Sequence, residues 1–451
     1  MKKPADDLIA ADKQCLWHPF TPGQIWLDSG DEPARLIVEA QGFRLIDSRG
    51  DSFIDGFSSL WCNLHGHRVP QIDAAIRAQL EKVSHTTLLG HASGPSIELG
   101  RRLVQHAPPG LARVFYSDSG ATAVEVALKM AYQYWLNRGR PRRRFMALQH
   151  GYHGDTIGAV SVGGIDSFHQ IFRPMLFETT LMPSPCPYVH PLGASAVPAV
   201  LEQIEQALAA APEEYCAMIV EPLVQGAGGM LTHGEGFLAG VREITRRHDV
   251  LLIVDEVATG FCRTGRLFAC ENEDVAPDLM CLGKGLSGGY LPLAATLATR
   301  EIFDAFSDGG DKTFFHGHTF TGNALACAAG VASFDLIFSS GLLDTLSAKE
   351  ELIARRLGEL ADHPHVAEVR QRGMMVGVQL VQDRAARQEF DPALRTGAGV
   401  CMHARRHGVL TRPLGDVVVL MPAPAMDLAT LDELLKATVT SIREYFDGTR
   451  I

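Results

Sequence analysis

The chain has 451 residues, 46% of them hydrophobic, and a formal net charge of −11. That length allows a large core without disulfides or metals, with room for about three domain-sized units. The acidic balance argues against a nucleic-acid or anionic-membrane partner, and no run reaches the roughly 18 apolar residues of a membrane span.

The first residues, MKKPADDLIAADKQ, carry two lysines with no apolar run behind them, so they do not read as a secretory signal. Nine cysteines, none in a C-x-x-C pair, read as free thiols in a reducing, cytoplasmic compartment. FRLIDSRGDSFIDGF (43–57) predicts two short strands around a turn. Residues 113–116 predict another short strand. From Ala121 onward Val124, Leu128, Ala131 and Trp135 recur at helical spacing, with Glu125 and Lys129 four apart on another face. The stretch 174–198 holds six prolines and reads as a surface loop. AMIV (217–220) and LLIV (251–254) do not alternate with polar residues, as expected of buried parallel strands. This rhythm predicts a doubly wound α/β domain over 76–330. Residues 366–381 and 408–424 are strand-rich, with Gly415-Asp416 suited to a hairpin turn. They predict a smaller α+β domain over 331–451, with residues 1–75 packed beside it.

The chemistry centres on two motifs. LLIVDEVATGFCRTGRLFAC ends a buried strand in Asp255 and Glu256, and strand ends of this kind point into the crevice where α/β ligands bind. Alone, such a strand also suits an ATPase, but no G-x-x-x-x-G-K-[ST] loop accompanies it. Twenty-nine residues beyond Asp255, Lys284 stands between Gly283 and Gly285 in an apolar setting that disfavours its ammonium form. Taken alone, Lys284 could equally be a snorkelling surface lysine. Pyridoxal phosphate needs this pair: a lysine for its aldehyde and a carboxylate to keep its ring nitrogen protonated.

A phosphate also needs a seat. SDSGATAVEVALKMA offers Gly120, Ala121 and Thr122 at a helix start, which is a ready anion site and equally a plain capped terminus. HGHTFTGN (316–323) is a second candidate through Thr319. Its histidines lack a carboxylate or cysteine set at ligand spacing, so no metal is expected there. HGYHGDT (150–156) puts Tyr152 between glycines, where its ring could stack on a flat ligand or simply lie exposed. Arg412, before Pro413, has a restricted backbone that suits bidentate carboxylate binding.

Together these residues resemble the class III aminotransferases, a fold-type-I pyridoxal-phosphate family. The resemblance runs from LWHPFTP (16–22) to TRPLGDVVVLMP (411–422) and includes DSGATAVEVALKMAYQYW, HGYHGDT, DEVATGFCRTGRLFACE, LGKGLSGGYLP and HGHTFTGN. It implies a large domain on a mostly parallel seven-stranded sheet. It further implies Lys284 as the Schiff-base lysine, Asp255 as partner of the pyridine nitrogen, Gly120 and Ala121 at the phosphate, and Tyr152 stacked on the cofactor. His318 and Thr319 would reach the phosphate of a neighbouring subunit, which implies a homodimer with shared sites. Phe20, Leu60, Trp61, Tyr152, Gly317 and Arg412 would face substrate. Within the family the motifs resemble the branch that aminates 8-amino-7-oxononanoate in biotin biosynthesis by ping-pong transfer.

The amino donor in that branch is S-adenosylmethionine or L-lysine. Users of the former carry a tyrosine where Phe20 stands and paired tryptophans where this chain has Leu60-Trp61. Losing the phenol removes a hydrogen-bond donor, and losing one indole removes a face for a sulfonium. FSSLWCNLHGHR, HTTLLG, RVFYSDSGA and LTRPLGDV are closer in wording to the lysine-using branch. Three alternatives share part of the pattern: a class III enzyme acting on another ω-amino acid or diamine, a pyridoxal enzyme of different outcome such as an aminomutase or racemase, and a non-enzymatic binding module.

Overall fold

The computed structural model describes residues 4–28, 36–307 and 309–448. Strands β1 (Ile37–Gln41), β2 (Arg44–Asp47) and β3 (Ser52–Asp55) form an antiparallel meander. The two strands expected around the SerArgGly turn are β2 and β3.

The central layer is a seven-stranded sheet built from β4 (Leu111–Ser117), β5 (Arg144–Leu148), β6 (Thr179–Met182), β7 (Tyr215–Val220), β8 (Leu251–Asp255), β9 (Leu279–Leu282) and β10 (Ala294–Thr299). Their spatial order is β4-β10-β9-β8-β7-β5-β6, and β10 alone runs against its neighbours. Strands β7, β8 and β9 are buried at every position, which is why their sequences do not alternate. Helix α1 (Gly120–Asn137) follows β4. Ser119 caps it and exchanges hydrogen bonds with Thr122, so both orphan donors are met locally. Val124, Leu128, Ala131 and Trp135 form its buried stripe, and the Trp135 indole donates to the carbonyl of Cys216 on β7 at 2.8 Å.

Two expectations fail here. The proline-rich stretch is not all loop: residues 179–182 form β6, the sheet's edge strand, parallel to β5. Pro174 and Pro183 flank that strand without interrupting its ladder, a placement an edge tolerates. Nor do Glu125 and Lys129 pair. Glu125 accepts the Gly158 N–H at 2.8 Å, and Lys129 meets His316 Nδ1 at 3.0 Å. An i,i+4 pair contributes only about 0.3–0.5 kcal/mol, so tertiary partners displace it readily.

Toward the C-terminus, β11 (Val366–Arg372) and β12 (Met375–Leu380) form a hairpin. Helix α2 (Thr396–Ala404) leads to β13 (Val409–Leu410), β14 (Arg412–Leu414) and β15 (Val417–Leu420), and helix α3 (Leu428–Phe446) closes the fold. Gly415, at φ +55°, turns β14 into β15 as the sequence predicts. The stretch 409–414 is shared between two sheets: β13 joins β3 in parallel, while β14 enters the antiparallel β11-β12-β15-β14 sheet. Arg412 therefore sits where the chain changes sheets. All nine cysteines are free thiols. Among the described residues no single helix is long and apolar enough to cross a membrane.

Candidate active site

Parallel strands deliver their following residues to one edge of a sheet, and the chemistry gathers there. Asp255 ends β8, Glu221 follows β7, and Lys284 lies two residues past β9. In the β8–β9 ladder Asp255 is level with Cys281, which puts Lys284 just beyond it. The start of α1, after β4, and the loop after β5 complete the ring. A cavity of about 490 Å³ opens among them, lined by Phe20, Leu60, Trp61, Gly120, Ala121, Tyr152, Asp255, Lys284 and Arg412. Nine of the residues singled out in the sequence thus share one cavity.

Lys284 adopts a left-handed backbone at φ +43°, in a short 3₁₀ turn between two glycines. Burial pulls its amine below the ordinary lysine range, while the charges of Asp255 and Glu221 oppose that shift. Its Nζ lies 5.2 Å from the centroid of the Trp61 ring. Asp255 is buried. One of its oxygens accepts the Val257 N–H at 3.1 Å, and the other is 2.7 Å from Nδ1 of the buried His153. Donation from His153 leaves the carboxylate fixed in orientation.

The end of the cavity at the start of α1 is shaped by glycines. A Cβ at Gly120 would lie 2.5 Å from the Val257 side chain, and one at Gly154 would lie 2.4 Å from the Ala121 Cβ. The first N–H groups of α1 have no intrahelical partners and face an anion naturally. Gly154→Ala is expected to lower stability by about 1–3 kcal/mol, because φ +120° and the clash with Ala121 both oppose a side chain. Gly193→Ala is the control: its φ is also positive, at +51°, but its added Cβ meets nothing. Thermal unfolding should show a clearly lower midpoint for the first variant than for the second.

Tyr152 lines the cavity and donates from its hydroxyl to Asp155 at 2.7 Å, while its N–H donates to Glu221 at 3.0 Å. Burial raises its phenol well above the ordinary range. Arg412 lies half-buried in the wall with no carboxylate in ion-pair reach among the described residues, and burial lowers its pKa. A second cavity, of about 1180 Å³, runs between residues 19–26 and the small sheet and shares Phe20, Phe168, Arg412 and Leu414 with the first. The unpaired guanidinium therefore stands where the two spaces meet.

The position of Trp61 depends on an unusual turn. Ser58, Ser59, Leu60 and Trp61 all have φ between +48° and +71°. Asp55 accepts the Ser59 N–H and hydroxyl, and the Ser58 hydroxyl donates to the Met421 carbonyl at 2.6 Å. The fully buried Arg263 donates to the carbonyls of Trp61, Asn63 and Pro422. Trp61 Nε1 is buried and has no partner, so one indole donor is open to a ligand.

Gly317, His318 and Thr319 do not line this chain's cavity. Their loop instead packs on residues near His85, whose Nε2 meets the Thr319 carbonyl at 2.7 Å. The sequence reading missed His153, Glu221 and Phe168. His153 was within sight in HGYHGDT, and Glu221 follows a buried strand just as Asp255 ends one. Burial pushes the Glu221 carboxyl up to about 7.

Against known proteins, the pattern of the family described as Aminotransferase class-III matches residues 27–442. The chain is 48% identical over 446 residues to the adenosylmethionine-8-amino-7-oxononanoate aminotransferase of Geobacter sulfurreducens, with 97% of each chain covered. The fold is similar to the crystal structure of the protein of that name from Methanocaldococcus jannaschii, at TM-score 0.92 and 39% identity, covering 97% of this chain and 99% of that one. An amine transaminase from an uncultivated Pseudomonas species, solved in its PLP-bound form, is similar at TM-score 0.90 and 34% identity, over 95% and 98% of the respective chains.

Proposed function

The chain belongs to the class-III aminotransferase family, and from that premise we propose that it aminates 8-amino-7-oxononanoate to 7,8-diaminononanoate, with L-lysine as amino donor. Pyridoxal phosphate is the cofactor, and the cavity suits it: Gly120 and Gly154 let the helix start pack closely on Val257 and on the loop after Tyr152, Trp61 Nε1 lacks a partner, and a carboxylate and an amine line the same cavity. When bound, it supplies an aldehyde that takes up the amino group and a protonated ring that draws electrons from the reacting carbon.

The protein's residues do the rest. Backbone N–H groups at Gly120 and Ala121 would hold the phosphate. The Asp255 carboxylate would hold the proton on the ring nitrogen, and His153 keeps that carboxylate in place through its Oδ2. Tyr152 would cover one face of the ring. Lys284 Nζ is the base that removes the donor's proton and the acid that returns it, a task that needs an amine neutral in part at working pH. The lowered lysine pKa favours that state.

One observation carries the choice of acceptor: Arg412, without an acidic partner, faces a cavity whose other walls are largely apolar. A chain with a carboxylate at one end and methylenes behind it fits that wall, with Phe20, Leu60, Trp61, Phe168 and Leu414 against the aliphatic part. His318 and Thr319, which lie outside this chain's own cavity, would reach the phosphate of a second copy in a homodimer. The exposed side chains of Leu89, Phe315 and Phe320 support that reading.

For the donor, Phe20 and Leu60 offer neither a phenol nor an indole to an adenosyl sulfonium. The names of the relatives from Geobacter and Methanocaldococcus favour S-adenosylmethionine as the second reading. Purified enzyme given the oxononanoate with each donor separately decides between them. Product with lysine alone is the expected result; product with S-adenosylmethionine alone ends the lysine reading, and no product with either removes the acceptor assignment.

A further inference from the structure

A second group of chemistry-bearing side chains lies in the C-terminal domain. His403, in the last turn of α2, and His407, in the 3₁₀ turn that follows it, are four residues apart. Both turn toward Glu444 near the end of α3. The Nε2 atoms of His403 and His407 lie 3.0 and 2.8 Å from the same oxygen, Glu444 Oε2. One ligand atom from each of the three residues falls within 4.8 Å of the others. His403 is buried, whereas His407 and Glu444 are partly open to solvent.

We propose that His403, His407 and Glu444 form a binding site for a borderline divalent transition cation, of which Zn²⁺ is the natural occupant. Two imidazoles and a carboxylate are a common zinc donor set, leaving the fourth position to water. Imidazole-rich sites disfavour Mg²⁺ and Ca²⁺, which prefer oxygen donors. Tetrahedral coordination with bonds of about 2.0–2.1 Å needs ligand atoms about 3.3 Å apart. The observed nitrogen–oxygen separations, 3.0 and 2.8 Å, reach that value by opening about 0.3 and 0.5 Å, within the reach of a partly exposed Glu444 side chain. Two histidines four apart at a helix end project from one face, so little backbone movement is needed.

The location gives such a site a consequence for the fold. Gly408, at φ +70°, separates His407 from β13, and Arg412 opens β14 just beyond. A cation held by these three residues ties the last helix to the turn that launches both strands. It thereby stiffens the segment that places Arg412, without touching the cofactor.

The test uses the full-length holoenzyme, dialysed against chelator and then titrated with ZnCl₂ by equilibrium dialysis with metal analysis. One Zn²⁺ per chain is expected to bind and to raise the thermal midpoint. His407→Ala and Glu444→Gln should each weaken binding by about tenfold or more, at least the loss that follows removal of an outer-shell partner. Neither variant should abolish transamination. Co²⁺ substitution provides an independent readout, since its visible bands report nitrogen and oxygen ligands and would differ if a thiol were bound. Zn²⁺ stoichiometry and affinity unchanged in both variants, thiolate bands with Co²⁺, or no saturable binding to the wild type would each overturn the assignment.

Discussion

Lys284→Ala is expected to cut turnover by about 10⁴-fold or more while leaving the fold in place. General acid–base catalysis by a positioned group contributes about 10²–10⁴-fold, and in the proposed mechanism this residue also supplies the amine that would meet the cofactor's aldehyde. The backbone gives no reason for collapse. Alanine meets the same left-handed penalty at φ +43° that lysine already bears. Removing the amine also relieves a desolvated cation, so apo-protein of the two forms should unfold within a few degrees of one another. Single-turnover mixing with donor, alongside thermal unfolding of both apo-proteins, measures the two halves of the statement. A variant that retained transamination at even one-tenth of the wild-type rate would remove Lys284 from proton transfer.

Arg412→Ala is expected to raise the KM for the oxononanoate by about 10- to 150-fold, the range that follows from about 1.5–3 kcal/mol for a hydrogen bond to a charged group. The half-reaction with an amino donor should change much less, because the roles proposed for Lys284 and Asp255 do not run through this side chain. Arg412→Lys should restore only part of the loss, since an ammonium cannot reproduce the two-pronged contact of a guanidinium. Steady-state kinetics with acceptor varied, set beside the donor half-reaction, separates the effects. Equal losses in both halves would mean that Arg412 supports the wall and does not bind the acceptor's carboxylate.

The parts of this molecule that could be read from sequence are those with a local cause. Buried strands announce themselves as unbroken apolar runs, and catalytic groups in an α/β sheet follow such runs directly. Asp255 and Lys284 are therefore legible in the sequence, and the resemblance implies the seven-stranded sheet. The capped start of α1 was likewise legible, because Ser119 and Thr122 satisfy it within a single turn.

The features that escaped depend on distant partners. Strand β6 hides between prolines, and only its pairing with β5 makes it a strand. The left-handed run from Ser58 to Trp61 contains no glycine, so nothing local marks it. Asp55 supports it locally, but its other supports come from Met421 and Arg263, whose distance along the chain leaves no local signal. The part His153 plays, holding Asp255 in orientation, exists only once the fold brings the loop after β5 to the end of β8, on the far side of β7.

The parallel pairing of β3 with β13 sets Ile54 beside Val409 and Asp55 beside Leu410. The cavity wall that carries Leu60, Trp61 and Arg412 is thus knitted from opposite ends of the polypeptide. A recombination event that imported only residues 57–61 from a relative would bring a turn whose scaffold stayed behind. In this architecture a replacement confined to residues 57–61 leaves Asp55, Arg263 and Met421 as partners it must still match.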